Sequence, residues 1–277
     1  ENKRIKEFVN AGINFVIKNC NKDGSCDDYY PYERALGTTA FVLYSLTEAY
    51  LILNEKNYEY ERFFKKQANW ILSNDDSGTM ANHMAVAGAA LYNLYLITKD
   101  ERYKEGAIDK IKMVLGLQSN EGWFMEYEGC DPGYNTITID FLAKYYKKSN
   151  DKRVLNALEK AVKFCSYFIH PDGSYAGEYG SRGTYHFFVD GFEILGKEIQ
   201  LGIGIVERYM LGIKNGRDSH LEDDRNCHVT AYNFLQAYLD YCDKRSSAFN
   251  FKNDFEKYFK EARIFVSKKG DYYLIIS

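Results

Sequence analysis

The sequence predicts an all-α protein: an α/α toroid of helical hairpins, complete or incomplete, ending in a short β-hairpin. Three observations carry this. Apolar residues recur at helical spacing along most of the chain. Polar glycine turns interrupt them about every 50 residues, the signature of a repeated supersecondary unit. The C-terminal segment then switches to β-branched and aromatic residues.

The first helix is traced by Ile5, Phe8, Val9, Gly12, Ile13, Phe15 and Val16. Phe41, Tyr44, Leu46, Tyr50 and Leu51 mark the second, and Phe63, Trp70 and Ile71 the third. The same period recurs in 84–97, 107–117, 136–146, 154–168, 187–213 and 229–242. Four related turns follow helices: Asn21-Lys22-Asp23-Gly24-Ser25, Ser73-Asn74-Asp75-Asp76-Ser77-Gly78, Ser119-Asn120-Glu121-Gly122-Trp123 and His170-Pro171-Asp172-Gly173-Ser174. Their glycines, able to adopt left-handed backbone, stand 54, 44 and 51 residues apart. Between them fall short plain turns, Lys99-Asp100-Glu101 and Ser149-Asn150-Asp151. A hairpin cannot bury both apolar faces alone, so successive hairpins stack, either as an open solenoid or as a closed toroid. Elaborate turns alternating with plain ones favour the toroid, with one face built up into a cleft.

At the end of the chain, Ala262–Ser267 and Asp271–Ile276 flank Lys268-Lys269-Gly270 as a hairpin. The expected division is therefore a toroid over 1–262 and the start of a truncated β-domain over 263–277. Such a tail should pair locally or pack on a neighbouring molecule, and contribute little to the stability of the helical part.

Composition narrows the function. The 277 residues are 45% hydrophobic and 27% charged, with a net charge of −3, so no basic surface recommends nucleic acid or an anionic membrane. No apolar run reaches the ~20 residues of a bilayer span. Glu1-Asn2-Lys3-Arg4 opens no signal peptide, which leaves the compartment open, secretion and the periplasm included. The six cysteines form no CxxC; Cys20 and Cys26 are near enough to bridge, but free thiols are the simpler expectation. No cofactor or metal is expected. His220 and His228, beside Glu222-Asp223-Asp224, read as a solvated loop, with a metal site the remote alternative. Aromatics make up 16%, including 25 Tyr and 18 Phe. They suit a core, and equally a cleft in which rings stack on sugars.

Three polar, aromatic loops follow the glycine turns and so belong on one rim: 79–84, 123–134 and 177–186. Within them Asn82, His83 and Tyr134 are candidate catalytic residues. Trp123, Glu126, Tyr127, Glu178, Arg182, Tyr185 and His186 are candidates for binding substrate. Each has a structural alternative. Asn82 is a competent N-cap, His83 a first-turn hydrogen-bonding histidine, Tyr134 and Trp123 packing residues, and Arg182 a surface cation. Two chemistries fit the rim. A glycoside hydrolase would use paired carboxylates from Glu126, Glu128, Asp131, Glu178 and Asp190. A uronate lyase would instead stabilise an enolate-like carboxylate with neutral donors such as Asn and His, while a tyrosine moves the proton. The Asn-His pair and the Gly-Tyr helix start suit the lyase better. A noncatalytic glycan-binding toroid is the third reading.

Ala81-Asn82-His83-Met84-Ala85-Val86-Ala87-Gly88-Ala89-Ala90-Leu91 resembles the Asn-His helix of heparinase II/III and oligo-alginate lyases. Glu121-Gly122-Trp123-Phe124-Met125-Glu126, followed by Gly133-Tyr134, resembles their catalytic-tyrosine loop. The resemblance spans about 60–277. It implies an α/α toroid followed by a β-sandwich, and an acidic poly- or oligosaccharide as partner. It also implies that Asn82 and His83 neutralise the uronate carboxylate while Tyr134 serves as base and acid. The sequence departs from the family pattern in Glu121 for its aspartate, in Asn135 after the tyrosine, and in lacking a second histidine from the sandwich. Gln118–Trp123 is also similar to the QxxxGW turn of terpene cyclases, but no DDxxD or DxDD segment accompanies it.

Overall fold

The computed structural model describes residues 3–76, 78–217, 224–245 and 253–277, with the backbone alone described over 224–229. His220 lies outside the described residues, as does the side chain of His228. The elements run α1 (Lys3–Asn19), α2 (Leu36–Leu53), α3 (Tyr58–Ser73), α4 (Ala81–Thr98), α5 (Glu101–Gly116), β1 (Met125–Glu126), β2 (Gly129–Cys130), α6 (Pro132–Ser149), α7 (Lys152–Cys165), α8 (Asp190–Ile194), α9 (Gln200–Lys214), α10 (Asp224–Leu239), β3 (Phe255–Phe259), β4 (Ile264–Lys269) and β5 (Tyr272–Ile276). They divide into two compact units, one of residues 1–78 and 83–113, the other of 79–82 and 114–277.

In the first unit, even-numbered helices meet each other and odd-numbered helices meet each other. Asn93 of α4 donates to Thr47 and Glu48 of α2. Tyr103 of α5 donates to Asn69 of α3, and Tyr60 of α3 to Asn10 of α1. The even helices supply most of the core: Leu43, Tyr44 and Leu46 from α2, and Ala85, Val86, Ala90, Leu91 and Leu94 from α4. Helix α2 is long and apolar enough to cross a membrane by composition, but half of it is buried in this core. The odd helices are amphipathic, burying one stripe such as Phe64, Ala68 and Ile71. In the second unit the same order continues: α6 packs on α7 and α8, and α7 on α9. Here α6 is buried round most of its circumference.

Both kinds of turn are stereotyped. At the elaborate end, Asn21, Ser119 and His170 donate their N–H to the carbonyl four residues on, at 2.8–2.9 Å, and accept from the glycine three residues on, at 2.9–3.0 Å. Gly24, Gly122 and Gly173 have φ of +94°, +104° and +89°. Each glycine also sits against the backbone of the next odd helix: Gly24 on Gln67, Gly122 on Lys160, and Gly173 on Gly212. A side chain would meet both the wrong φ and a helix wall. At the plain end, Asn54, Lys99 and Asn150 are left-handed, with φ of 51°, 58° and 55°. Their N–H groups close α2, α4 and α6 on the carbonyls of Tyr50, Tyr95 and Tyr146. Gly78 ends the fourth of these turns. It is exposed, and the adjoining Asp75 and Asp76 pair with Lys110 and His83.

Two other expectations change. The helical stretch 187–213 is two helices, because a turn at 195–199 separates α8 from α9. The C-terminal hairpin is present, but β3 joins it to make an antiparallel sheet in the order β3-β4-β5. The sheet is not a loose tail. Phe259 is 2% exposed, its ring 4.9 Å from Phe164 and 5.3 Å from Tyr167. Glu121 accepts the N–H groups of Glu261 and Ala262 at 3.1 Å each. These contacts come from β3 and the turn at 261–262, ahead of the segment 263–277, from which Tyr273 also donates to the Tyr167 carbonyl. The described cysteines, Cys20 and Cys26 among them, are unbridged.

Gly122→Ala should cost about 2–4 kcal/mol, because strain and collision act together. Gly12→Ala, on the exposed face of α1 with nothing within 4 Å, should gain up to about 1 kcal/mol from helix propensity. Denaturant unfolding of the two variants checks the pair. Equal stabilities would contradict the role given to the turn.

Candidate active site

The three loops meet inside the second unit. Residues 79–82 run beside the β1–β2 hairpin: Tyr127 donates its N–H to the carbonyl of Thr79, and Met80 bridges to Glu126. The third loop closes from the other side. Ser181 donates its N–H to the Cys130 carbonyl and its hydroxyl, at 2.7 Å, to the Glu126 carbonyl. The second and third loops thus lie where shared glycine turns put them, both beside α6.

Glu126 is at the centre. Its side chain is 0% exposed and accepts three hydrogen bonds: from the Asn82 backbone N–H at 2.9 Å, Asn82 Nδ2 at 2.7 Å, and Thr138 Oγ1 at 2.8 Å. One of these, the Asn82 N–H, is an orphan backbone donor of the first turn of α4, so a carboxylate from another loop does the capping. Burial pushes the Glu126 carboxyl up to about 8, against the lowering effect of Asn82 and Thr138. The expected role of Glu126 in contacting substrate gives way to positioning Asn82.

Asp131 is the second anchor. It is buried, caps α6 at the Tyr134 N–H (2.9 Å), and accepts from the Arg182 N–H (3.0 Å), the Thr184 N–H and the Thr184 hydroxyl (2.5 Å). One carboxylate therefore fixes the tyrosine and the third loop in the same register. Tyr134 is half-buried at the head of α6. Its ring meets Tyr127 edge-on at 5.2 Å and His186 edge-on at 5.6 Å. Tyr127 occupies the left-handed region with Glu128, at φ of 51° and 63°, making the two-residue hairpin turn. A bulky residue held there is strained, which is common where function fixes a side chain. The Arg182 guanidinium lies over the Tyr127 ring at 4.3 Å. Burial first, then hydrogen bonding to Tyr134, hold the Tyr127 phenol well above its ordinary range; Arg182 opposes this weakly. Tyr127 thus keeps its proton and is placed as a donor to Tyr134.

The other candidates divide. Tyr185 and Glu178 are exposed on the third loop. Trp123 is buried, its Nε1 donating to Glu121 at 3.1 Å, so it braces the turn and presents no stacking face. In the first unit, His83 Nδ1 meets Asp76 Oδ2 at 2.5 Å. The pair orients the ring and leaves Nε2 as its other polar edge. The ring lies on α2 at Gly37, where an added Cβ would come within 2.5 Å of it. Asp76 carried no signal as a histidine partner, since seven residues across a turn is no helical spacing. Thr138 likewise carried no signal, whereas Asp131 before Pro132 is a recognisable helix start.

Of the five carboxylates considered for hydrolysis, three are sequestered. Glu126 and Asp131 are saturated with donors, and Asp190 is 1% exposed, 3.3 Å from Lys144 and raised to about 8 by burial, with Asp140 adding to it. Among the described residues no group of three or more His, Cys, Asp or Glu gathers as a metal site.

This arrangement of stacked helical hairpins is the α/α-toroid fold of glycan-active enzymes. An unsaturated glucuronyl hydrolase specific for heparin is similar at a TM-score of 0.64 and 12% identity, over 86% of this chain and 79% of that one. An α-1,6-mannanase from Salegentibacter sp. is similar at 0.59 and 15%, over 75% and 69%. A polysaccharide lyase is similar at 0.52 and 13%, over 83% and 71%. No curated protein sequence matches significantly. Residues 3–187 match the Ulvan lyase N-terminal domain family, and the chain belongs to that family. The matched segment carries all ten candidate residues.

Glu126 ionises only near pH 8, and the ionised form alone accepts from all three donors. The ordering of Asn82, and turnover with it, should therefore rise through about pH 8. Stability should move oppositely. The folded-state pKa is raised, so this group's contribution is full below the unfolded value and is lost as pH climbs from about 4.5 to about 8. Glu126→Gln should flatten both profiles and lower turnover roughly 10- to 100-fold by turning an amide donor on Asn82. Unchanged profiles would remove Glu126 from this role.

Proposed function

We infer that the chain is the helical domain of a polysaccharide lyase that cleaves uronate-containing glycans by β-elimination. The observation that carries this is the pairing of Tyr134 with Tyr127 beneath Arg182, next to an Asn82 held by a buried carboxylate. This is a proton-transfer apparatus in which the two buried carboxylates, Glu126 and Asp131, are committed to hydrogen bonds within the protein. Membership of an ulvan lyase family supports the reading and makes ulvan the first substrate to test.

The roles follow the resemblance to heparinase II/III lyases. Asn82 and His83 face the uronate carboxylate and stabilise the charge that develops when the C5 proton leaves. Tyr134 takes that proton. The electron pair forms the C4–C5 double bond, the C4–O4 bond breaks, and Tyr134 returns a proton to O4. Tyr127 steadies the Tyr134 oxygen while it is charged, and Arg182 and His186 supply positive character beside the pair. Glu178 and Tyr185, exposed on the same loop, line the approach. A hydrolase would be left with Glu128 and Glu178, because the other carboxylates are committed to structure.

Tyr134→Phe should lower the ultraviolet-absorbing product at least 10²-fold while leaving glycan affinity nearly unchanged, since one oxygen is lost. Asn82→Ala should weaken both. Reducing ends released without that absorbance, by either protein, would replace elimination with hydrolysis.

A further inference from the structure

We propose that Tyr29, Tyr30 and Tyr32 form an aromatic platform that stacks on the pyranose faces of a polysaccharide chain engaged at His83. The proposal rests on the polysaccharide-lyase reading for its ligand, but uses residues that reading leaves out.

The three tyrosines are among the most exposed aromatics of the chain, at 67%, 72% and 80%. Single exposed apolar residues are ordinary; three within four positions on one loop are not. The loop is also held rigid. Asp27 accepts the N–H groups of Tyr32 (2.8 Å) and Arg34 (3.0 Å) and the Asn21 side chain (2.8 Å). Glu33 accepts the N–H groups of Asp28 (3.0 Å) and Tyr29 (2.8 Å) from the opposite direction. The base is closed by the Cys26–Ala35 bridge. Tyr32 and Arg34 are left-handed, with φ of 67° and 57°. The rings are therefore presented without apolar cover, on backbone that has already lost its freedom. Preorganisation of this kind lowers the entropic cost of binding.

Position gives the platform its ligand. The loop follows the Gly24 turn as the Tyr127 loop follows the Gly122 turn and the Arg182 loop follows the Gly173 turn. It leads directly into Leu36-Gly37, the first turn of α2, on which the His83 ring rests within the same unit. A glycan engaged at His83 thus has the tyrosine loop beside it. The local charge narrows the ligand further. Asp23, Asp27, Asp28 and Glu33 outnumber Lys22 and Arg34 here, which disfavours an anionic group as the contact. Stacking on a ring face, with tyrosine hydroxyls bonding to sugar hydroxyls, tolerates that charge.

The test compares the whole chain with its Tyr29→Ala/Tyr30→Ala/Tyr32→Ala variant. Calorimetric titration with the polysaccharide is run beside elimination assays on long chains and on short oligosaccharides. The expected result is an affinity loss and a KM increase of about tenfold for long chains. Short oligosaccharides should be turned over as before, and the loss should be the same at about 50 mM and about 500 mM salt. The corresponding triple Tyr→Phe variant, which keeps the rings, should retain most of the affinity. Unchanged long-chain affinity in the folded alanine variant would overturn the platform, as would a loss seen only at low salt. Tyrosine-dependent binding without any unsaturated product would leave the platform standing and overturn the lyase reading instead. Unsaturated product with an unchanged long-chain KM would do the reverse.

Discussion

The interaction on which the site depends is the buried Glu126 carboxylate. It stands on the β1–β2 hairpin, yet its two oxygens serve α4, through both nitrogens of Asn82, and α6, through Thr138. Leaving such a group unpaired in the interior would cost several kcal/mol, so the three donors and the hairpin are held to one arrangement. Asp131 does the corresponding work a few residues on, joining the head of α6 to the third loop. Tyr127 directly follows one of these carboxylates, and Tyr134 is capped by the other. Catalysis by elimination needs donors aimed before the charge appears, and a pair of saturated carboxylates is a way of supplying that.

Stacked hairpins make this possible because one end of each is uniform. The plain turns close α2, α4 and α6 with a left-handed residue. The elaborate turns press a glycine on the next odd helix, so each loop that follows starts from a fixed place. Loop chemistry can then vary while its origin does not. Glu121 illustrates the economy: one side chain holds Trp123 and also receives the sheet through Glu261 and Ala262.

Much of this was legible in the sequence because its causes are local. Helical periodicity, the glycine turns at 24, 122 and 173, and the strand pair around Lys268-Lys269-Gly270 each depend on a few adjacent residues. The Asn82, Tyr134 and Arg182 loops could be assigned to one end from the repeat alone. What escaped depends on distance through space. Trp123 and Glu126 looked like cleft residues, but burial is decided by what packs above them. Asp76 became a histidine partner only once the turn was folded. The break at 195–199 was hidden because Leu195 and Ile199 keep a helical spacing across Gly196-Lys197-Glu198.

The central claim is that bond cleavage begins with loss of the C5 proton at the site anchored by Glu126. Digesting a substrate deuterated at C5 of its uronates, and weighing the fragments by mass spectrometry, tests it most directly. The account predicts that every new non-reducing end has lost its C5 deuteron and carries a double bond. Fragments that keep the deuteron and gain the elements of water would contradict it.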